Sequence, residues 1–198
     1  MTRPEFVGRP FRFWFVRHGV TEPNARGVRC GGDLDVPLLD AGCDQALEVG
    51  KRLRRSGPQI DLIIAADLVR TRQMALIVSG VLGGLPVVIE PGFNERRLGG
   101  WNNRSIAETE PLLRSGVAPP GGETEAAFSD RVTRALDAAT PHLRRRALVV
   151  GSKGVARVLN LVLGGTDRLD LPNGELVEFA GEPLGTGIEY SVRRVQAV

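Results

Sequence analysis

The amino-acid sequence predicts an α/β protein, a three-layer α/β/α sandwich with a mostly parallel central sheet and helices on both faces. Three observations carry this. Short apolar runs alternate with stretches of helical period, the runs are apolar at consecutive positions, and the breaks between them hold Gly, Pro and Asp. A strand that is apolar on both sides must be covered on both sides, which helices flanking a parallel sheet achieve.

The first run, Phe11 to Val16, ends at Arg17-His18-Gly19 and a polar loop, Val20-Thr21-Glu22-Pro23-Asn24, and reads as a buried strand. Cys43, Ala46, Leu47, Gly50 and Leu53 mark one face of a first helix, which Ser56-Gly57-Pro58 ends. Leu62 to Ala65 follows as a short strand. A helix from about Leu68 to Leu82 is broken by Gly83-Gly84, and Val87 to Ile89 forms the third strand. Further on, Phe128, Val132, Ala135, Leu136, Ala139 and Leu143 repeat at helical spacing, Ala147 to Val150 forms a strand and Val155 to Leu163 a helix. Two strands near Glu175 to Ala180 and Ile188 to Val195 complete a mixed sheet.

With 198 residues, 42% of them hydrophobic, and no Ser/Gly-rich or charged linker, residues 1–198 read as one domain with one core, preceded by a flexible terminus over 1–10. Cys30 and Cys43 are too few for a disulfide framework, and no Cys/His spacing matches a metal cluster, so neither metal nor cofactor is expected. The N-terminus lacks an apolar segment of signal-peptide length, and no run could span a bilayer. A soluble, cytoplasmic protein without a membrane partner is the expectation. The sequence carries no signal of oligomeric state.

A net charge of +3 favours an anionic ligand without naming one. The runs Arg144-Arg145-Arg146 and Arg52 to Arg55 fall where helices should end, and cations there complement the helix dipole. No aromatic residues are interleaved for base stacking, so no nucleic acid partner is expected.

Several strand ends carry polar residues that would meet at the carboxyl edge of a parallel sheet, where open α/β folds bind ligands. They are Arg17-His18, Asp67-Leu68-Val69-Arg70-Thr71, Asn94-Glu95-Arg96-Arg97 and Gly151-Ser152-Lys153-Gly154. Two arginines, a histidine and a carboxylate around one point suit phosphoryl transfer, in which charge on the equatorial oxygens is clamped while a nucleophile attacks in line.

The motifs resemble those of the histidine phosphatase superfamily, the phosphoglycerate mutase-like proteins. Arg17-His18-Gly19-Val20-Thr21-Glu22-Pro23-Asn24 is similar to that family's RHGxTxxN signature. The likeness continues through Cys30-Gly31-Gly32-Asp33-Leu34-Asp35-Val36-Pro37-Leu38, the segment Asp67 to Ala75, Glu95 with Gly99-Gly100-Trp101, Pro120 to Thr124, and Gly154-Val155-Ala156-Arg157. The resemblance implies that His18 is the nucleophile, accepting the phosphoryl group before water removes it, and that Arg17 and Arg70 clamp the phosphoryl oxygens. Asn24 and the backbone near Gly31 would add donors. Glu95 would protonate the leaving oxygen and then accept a proton from water. The nearby arginines would disfavour protonation of His18.

Plainer readings stand beside these roles. Glu95 could pair with Arg96 or Arg97 on the surface, Asn24 could be a turn residue, and Arg70, near a helix start, would ordinarily be solvated. Glu123 and Thr124 are read as opening a helix with Thr124 as cap, Trp101 as a packing residue, and His142 as a helix-end residue.

One position departs from the family. The resemblance implies a second histidine after the last core strand, and the alignment puts Ser152 there, with Lys153 on the next position. Ser152 would donate through a bridging water, and Lys153 would supply charge if its stem turned inward. Three accounts follow: a slow or specialised phosphatase, a phosphometabolite-binding relative without turnover, or a chain altered at this site. The first is preferred because Arg17, His18, Arg70 and Glu95 are all present. The short stretch 95–123, read as a lid that sets specificity, lacks the insertion of the family's mutases, which favours hydrolysis over mutase transfer. The expected substrate is a small phosphorylated metabolite.

Overall fold

The computed structural model describes residues 9–185 and 187–195. Most of the terminus expected over 1–10 lies outside them; Arg9 and Pro10 are exposed. The elements run β1 (Phe11–Arg17), α1 (Glu22–Ala25), α2 (Asp40–Ser56), β2 (Leu62–Ala65), α3 (Val69–Val81), β3 (Val87–Ile89), α4 (Ile106–Arg114), α5 (Glu125–Leu143), β4 (Ala147–Gly151), α6 (Lys153–Leu163), β5 (Leu176–Leu184) and β6 (Gly187–Arg194). The strands form one sheet in the order β3-β2-β4-β1-β5-β6. From β3 to β1 the pairing is parallel, and β5 and β6 add an antiparallel edge.

The strand period of two divides the core into two layers. Phe13, Phe15, Leu62, Ile64 and Val149 pack with residues of α5 and α6, such as Val132, Leu136 and Leu159. Trp14, Val16, Ile63, Leu148 and Val150 pack with residues of α2 and α3, such as Val49, Met74 and Val78. Both faces of β1, β2 and β4 are therefore covered, which is why their sequences lack an in-out alternation. Arg12 of β1 is exposed and ion-paired to Glu178 and Glu182 of β5.

Two helices have no counterpart in the sequence reading. α1 is only four residues long, too short to show a period. α4 carries Pro111 in its interior and begins at a cap in which Ser105 Oγ accepts the Ala107 N–H at 3.2 Å. β5, expected near Glu175 to Ala180, runs on to Leu184, and α6, expected from Val155, begins at Lys153. Thr124 Oγ1 accepts the Ala127 N–H at 3.1 Å and opens α5, and His142 lies in that helix's last turn. Trp101 is buried. Arg146 is not a dipole cation; it pairs with Asp61 at 2.7 Å.

Candidate active site

The sheet register brings the predicted residues to one edge. Arg17 of β1 stands opposite Gly151 of β4, and the His18 N–H donates to the Gly151 carbonyl at 2.9 Å. His18 and Ser152 thus leave adjacent parallel strands side by side. The chain then turns through Gly19, where a Cβ would lie 2.3 Å from the Gly42 carbonyl oxygen, so only glycine lets this loop touch the first turn of α2.

His18 is 5% exposed. Its Nδ1–H donates to the Gly19 carbonyl at 2.8 Å. A carbonyl can only accept, so this bond fixes the tautomer and leaves the lone pair on Nε2. Burial pushes the imidazole pKa well below its usual value, and the charges of Arg70 and Arg17 push it further. Desolvation, which the sequence does not show, is thus the larger cause.

This shift makes a stability prediction. Above pH 6.5 both native and unfolded His18 are neutral, so the residue contributes no pH dependence there. Below it the unfolded chain binds a proton that the native one does not, and stability falls by about 1.4 kcal/mol per pH unit for that proton. Denaturant unfolding between pH 7 and 5 should therefore show a steeper loss in the wild type than in His18→Gln.

Arg70, at the second residue of α3, is 1% exposed rather than solvated. Two backbone carbonyls explain how a guanidinium is buried: Nη1 donates to Leu34 at 3.0 Å and Nη2 to Gly31 at 3.1 Å. Arg17 donates through Nη1 to the Leu171 carbonyl at 2.8 Å, and burial lowers its pKa. Among the described residues no protein group pairs with Nε of either arginine, or with Ser152 Oγ, all three of which are buried.

Glu95 does not pair with its neighbours' side chains. Arg96 reaches the Glu123 carbonyl at 2.9 Å and the Glu125 carboxylate, and Arg97 lies 3.9 Å from Glu123. Instead Glu95 Oε1 accepts the Arg96 N–H at 2.7 Å, and Oε2 accepts the Gly154 N–H at 3.0 Å, in the first turn of α6. Each oxygen keeps a lone pair for a proton. A Cβ on Gly154 would lie 2.1 Å from Glu95 Oε1. Gly154→Ala should therefore displace Glu95 and lower kcat by about a hundredfold. Circular dichroism should show α6 intact, because alanine is the better helix former.

A cleft of about 840 Å³ opens at this edge, and Arg17, Asn24, Glu95 and Lys153 line it. His18, Arg70 and Ser152 are buried. Asn24 Oδ1 accepts from Thr21 and from Asn173 Nδ2, which also reaches the His18 carbonyl at 3.0 Å. Lys153 lines the cleft with its Nζ 2.7 Å from Asp170, and near the cleft the Gly31 N–H donates to Asn102 Oδ1 at 2.7 Å.

Three further residues have roles at the site that the sequence reading did not give them. Glu123 does more than open a helix; it is buried and holds Arg131 at 2.7 Å and the Arg97 N–H at 2.9 Å, fixing both ends of 95–123. Arg157 lines the cleft one helical turn beyond Lys153, a spacing that could have found it. Asn173 has no such signal, since it lies in an irregular loop.

Known proteins resemble this chain in sequence and in fold. Residues 13–182 match the model of the histidine phosphatase superfamily, branch 1. The chain is 34% identical over 156 residues to phosphoglycerate mutase-like protein 4 of Arabidopsis thaliana, covering 73% of this chain and 67% of the relative. It is 29% identical to the glucosyl-3-phosphoglycerate phosphatase of Mycolicibacterium vanbaalenii, over 89% and 87% of the two chains. The crystal structure of the alpha-ribazole phosphatase from Shigella flexneri superposes with a TM-score of 0.75 at 26% identity, over 94% of this chain and 98% of that one. The chain belongs to the histidine phosphatase superfamily, branch 1, and is a hydrolase of that type.

Proposed function

We propose that the chain hydrolyses a small phosphomonoester through a phosphohistidine on His18, as a single domain acting in the cytoplasm. The observation that carries this is the imidazole itself, buried, neutral and tied through Nδ1 to Gly19, with the Nε2 lone pair available. In the first step Nε2 forms a bond to phosphorus while the P–O bond to the leaving group breaks, and Glu95 delivers a proton to the departing oxygen. In the second, water attacks phosphorus, the N–P bond breaks, and Glu95 recovers a proton from the water, releasing inorganic phosphate. Glu95 is held for both steps by the Arg96 and Gly154 N–H groups.

Arg17 and Arg70 supply fixed positive charge beside His18, and charge placed in advance stabilises the transferring oxygens without reorganisation. Arg17, which lines the cleft, and the buried Arg70 each keep an Nε without a protein partner among the described residues. Asn24 positions the loop and adds an amide, and Ser152 donates from the position of the family's second imidazole. The 95–123 segment sets the substrate. Enzyme quenched in alkali during turnover of a phosphomonoester panel should carry acid-labile phosphate on His18. Turnover without any such label would sink the covalent mechanism.

A further inference from the structure

The outer cleft holds a charge cluster that the steps at His18 do not use. α4 lays Ile106, Glu110, Leu113 and Arg114 along the cleft at helical spacing. Glu110 is shared by three guanidiniums: Arg29 Nη2 lies 2.7 Å from Oε2, Arg114 Nε lies 3.2 Å from Oε1, and Arg168 Nη2 pairs with Oε1 as well. Burial opposes ionisation of this carboxyl, yet hydrogen bonds from Arg29 and Arg168 hold its pKa down to about 2. One carboxylate therefore faces three cations. The carboxylates nearby do not neutralise the excess. Asp170 is committed to Lys153 and Arg157, Glu125 to Arg96, and Asp167 makes no ion pair with the three.

An ion-pair network that only anchored α4 would leave no such excess. Arg29 also donates through Nε to Thr109 Oγ1 at 2.8 Å, which holds its planar fork in place. Among the described residues, Nη1 of Arg29, both Nη of Arg114, and Nε and Nη1 of Arg168 have no protein acceptor. Guanidinium forks of this kind bind carboxylate or phosphate by parallel hydrogen bonds. Leu113 and Leu161 add apolar side chains to the lining of the same cleft.

We propose that Arg29, Arg114 and Arg168, organised by Glu110, form a second anion site, so that the cleft takes phosphomonoesters whose leaving group bears a further carboxylate or phosphate. The proposal rests on the reading of the inner cleft as the phosphatase site, and the test separates the two. Binding of alkane bisphosphonates with three- and six-carbon spacers is compared by calorimetry with that of the matching hydroxyalkyl phosphonates. Hydrolysis of the corresponding phosphates is followed in parallel.

At one of the spacers the doubly anionic ligand should bind about ten- to a hundredfold tighter than its singly anionic partner, as expected for charge-assisted hydrogen bonds. Arg168→Gln should remove most of that ratio and leave the singly anionic ligand unchanged. Glu110→Gln, which leaves the three cations unneutralised, should widen the ratio. Equal affinity for both ligands at both spacers overturns the site, as does an Arg168→Gln variant that weakens both alike. If Glu110→Gln does not fold, Arg168→Gln decides alone, its side chain being 41% exposed. A retained bisphosphonate preference without hydrolysis keeps the anion site and removes the phosphatase reading; hydrolysis of both phosphates with equal KM does the reverse.

Discussion

His18→Ala is expected to lower kcat by about 10⁴-fold or more and to abolish phosphate labelling of the protein. The size of the effect follows from the role. No other described side chain at the sheet edge offers a neutral nitrogen nucleophile: Arg17, Arg70 and Lys153 are cations, and His142 lies in the last turn of α5, before β4 begins. Removing a buried imidazole also leaves a cavity, so thermal unfolding of the variant must accompany the kinetics. A folded variant with unchanged kcat would falsify the assignment of His18 as phosphoryl acceptor.

Ser152→His is expected to raise kcat by about a hundred- to a thousandfold, equivalent to about 3 kcal/mol of transition-state stabilisation. The register makes the prediction specific. Ser152 follows Gly151, which pairs with Arg17, so a side chain there stands beside His18 rather than elsewhere on the edge. Lys153, the next residue, is ion-paired to Asp170 at 2.7 Å. Ser152 is 2% exposed, so the imidazole must displace neighbours, at a cost of about 1 to 3 kcal/mol in stability. Single-turnover rates of the two proteins on the same ester check the gain. Equal rates in two folded proteins would overturn the proposal that an imidazole at this position speeds turnover.

Much of the scaffold was legible because its signals are local. β2, β3 and α3 lie within a residue of their predicted ends, since short apolar runs and Gly breaks are read directly from the chain. The capping role of Thr124 was legible for the same reason, as a cap needs only the three residues that follow it. α4 was not legible, because Pro111 sits in its interior and the arginines that pair with its Glu110, Arg29 and Arg168, are distant in sequence. The burial of Arg70 was hidden likewise. It depends on carbonyls of Gly31 and Leu34, some forty residues earlier.

By itself the sequence determined the residue types at the strand ends, Ser152 among them, and the two-sided strands that place them on one edge. Tertiary structure alone decided the state of those residues. Burial rather than charge is the main reason His18 is neutral, Glu95 is oriented by the N-terminus of α6, Lys153 is ion-paired to Asp170, and three arginines converge on Glu110. The physical reason is common to all four. Chemical identity belongs to a residue, but desolvation and hydrogen-bond geometry belong to its surroundings, and here those are assembled from segments far apart in the chain.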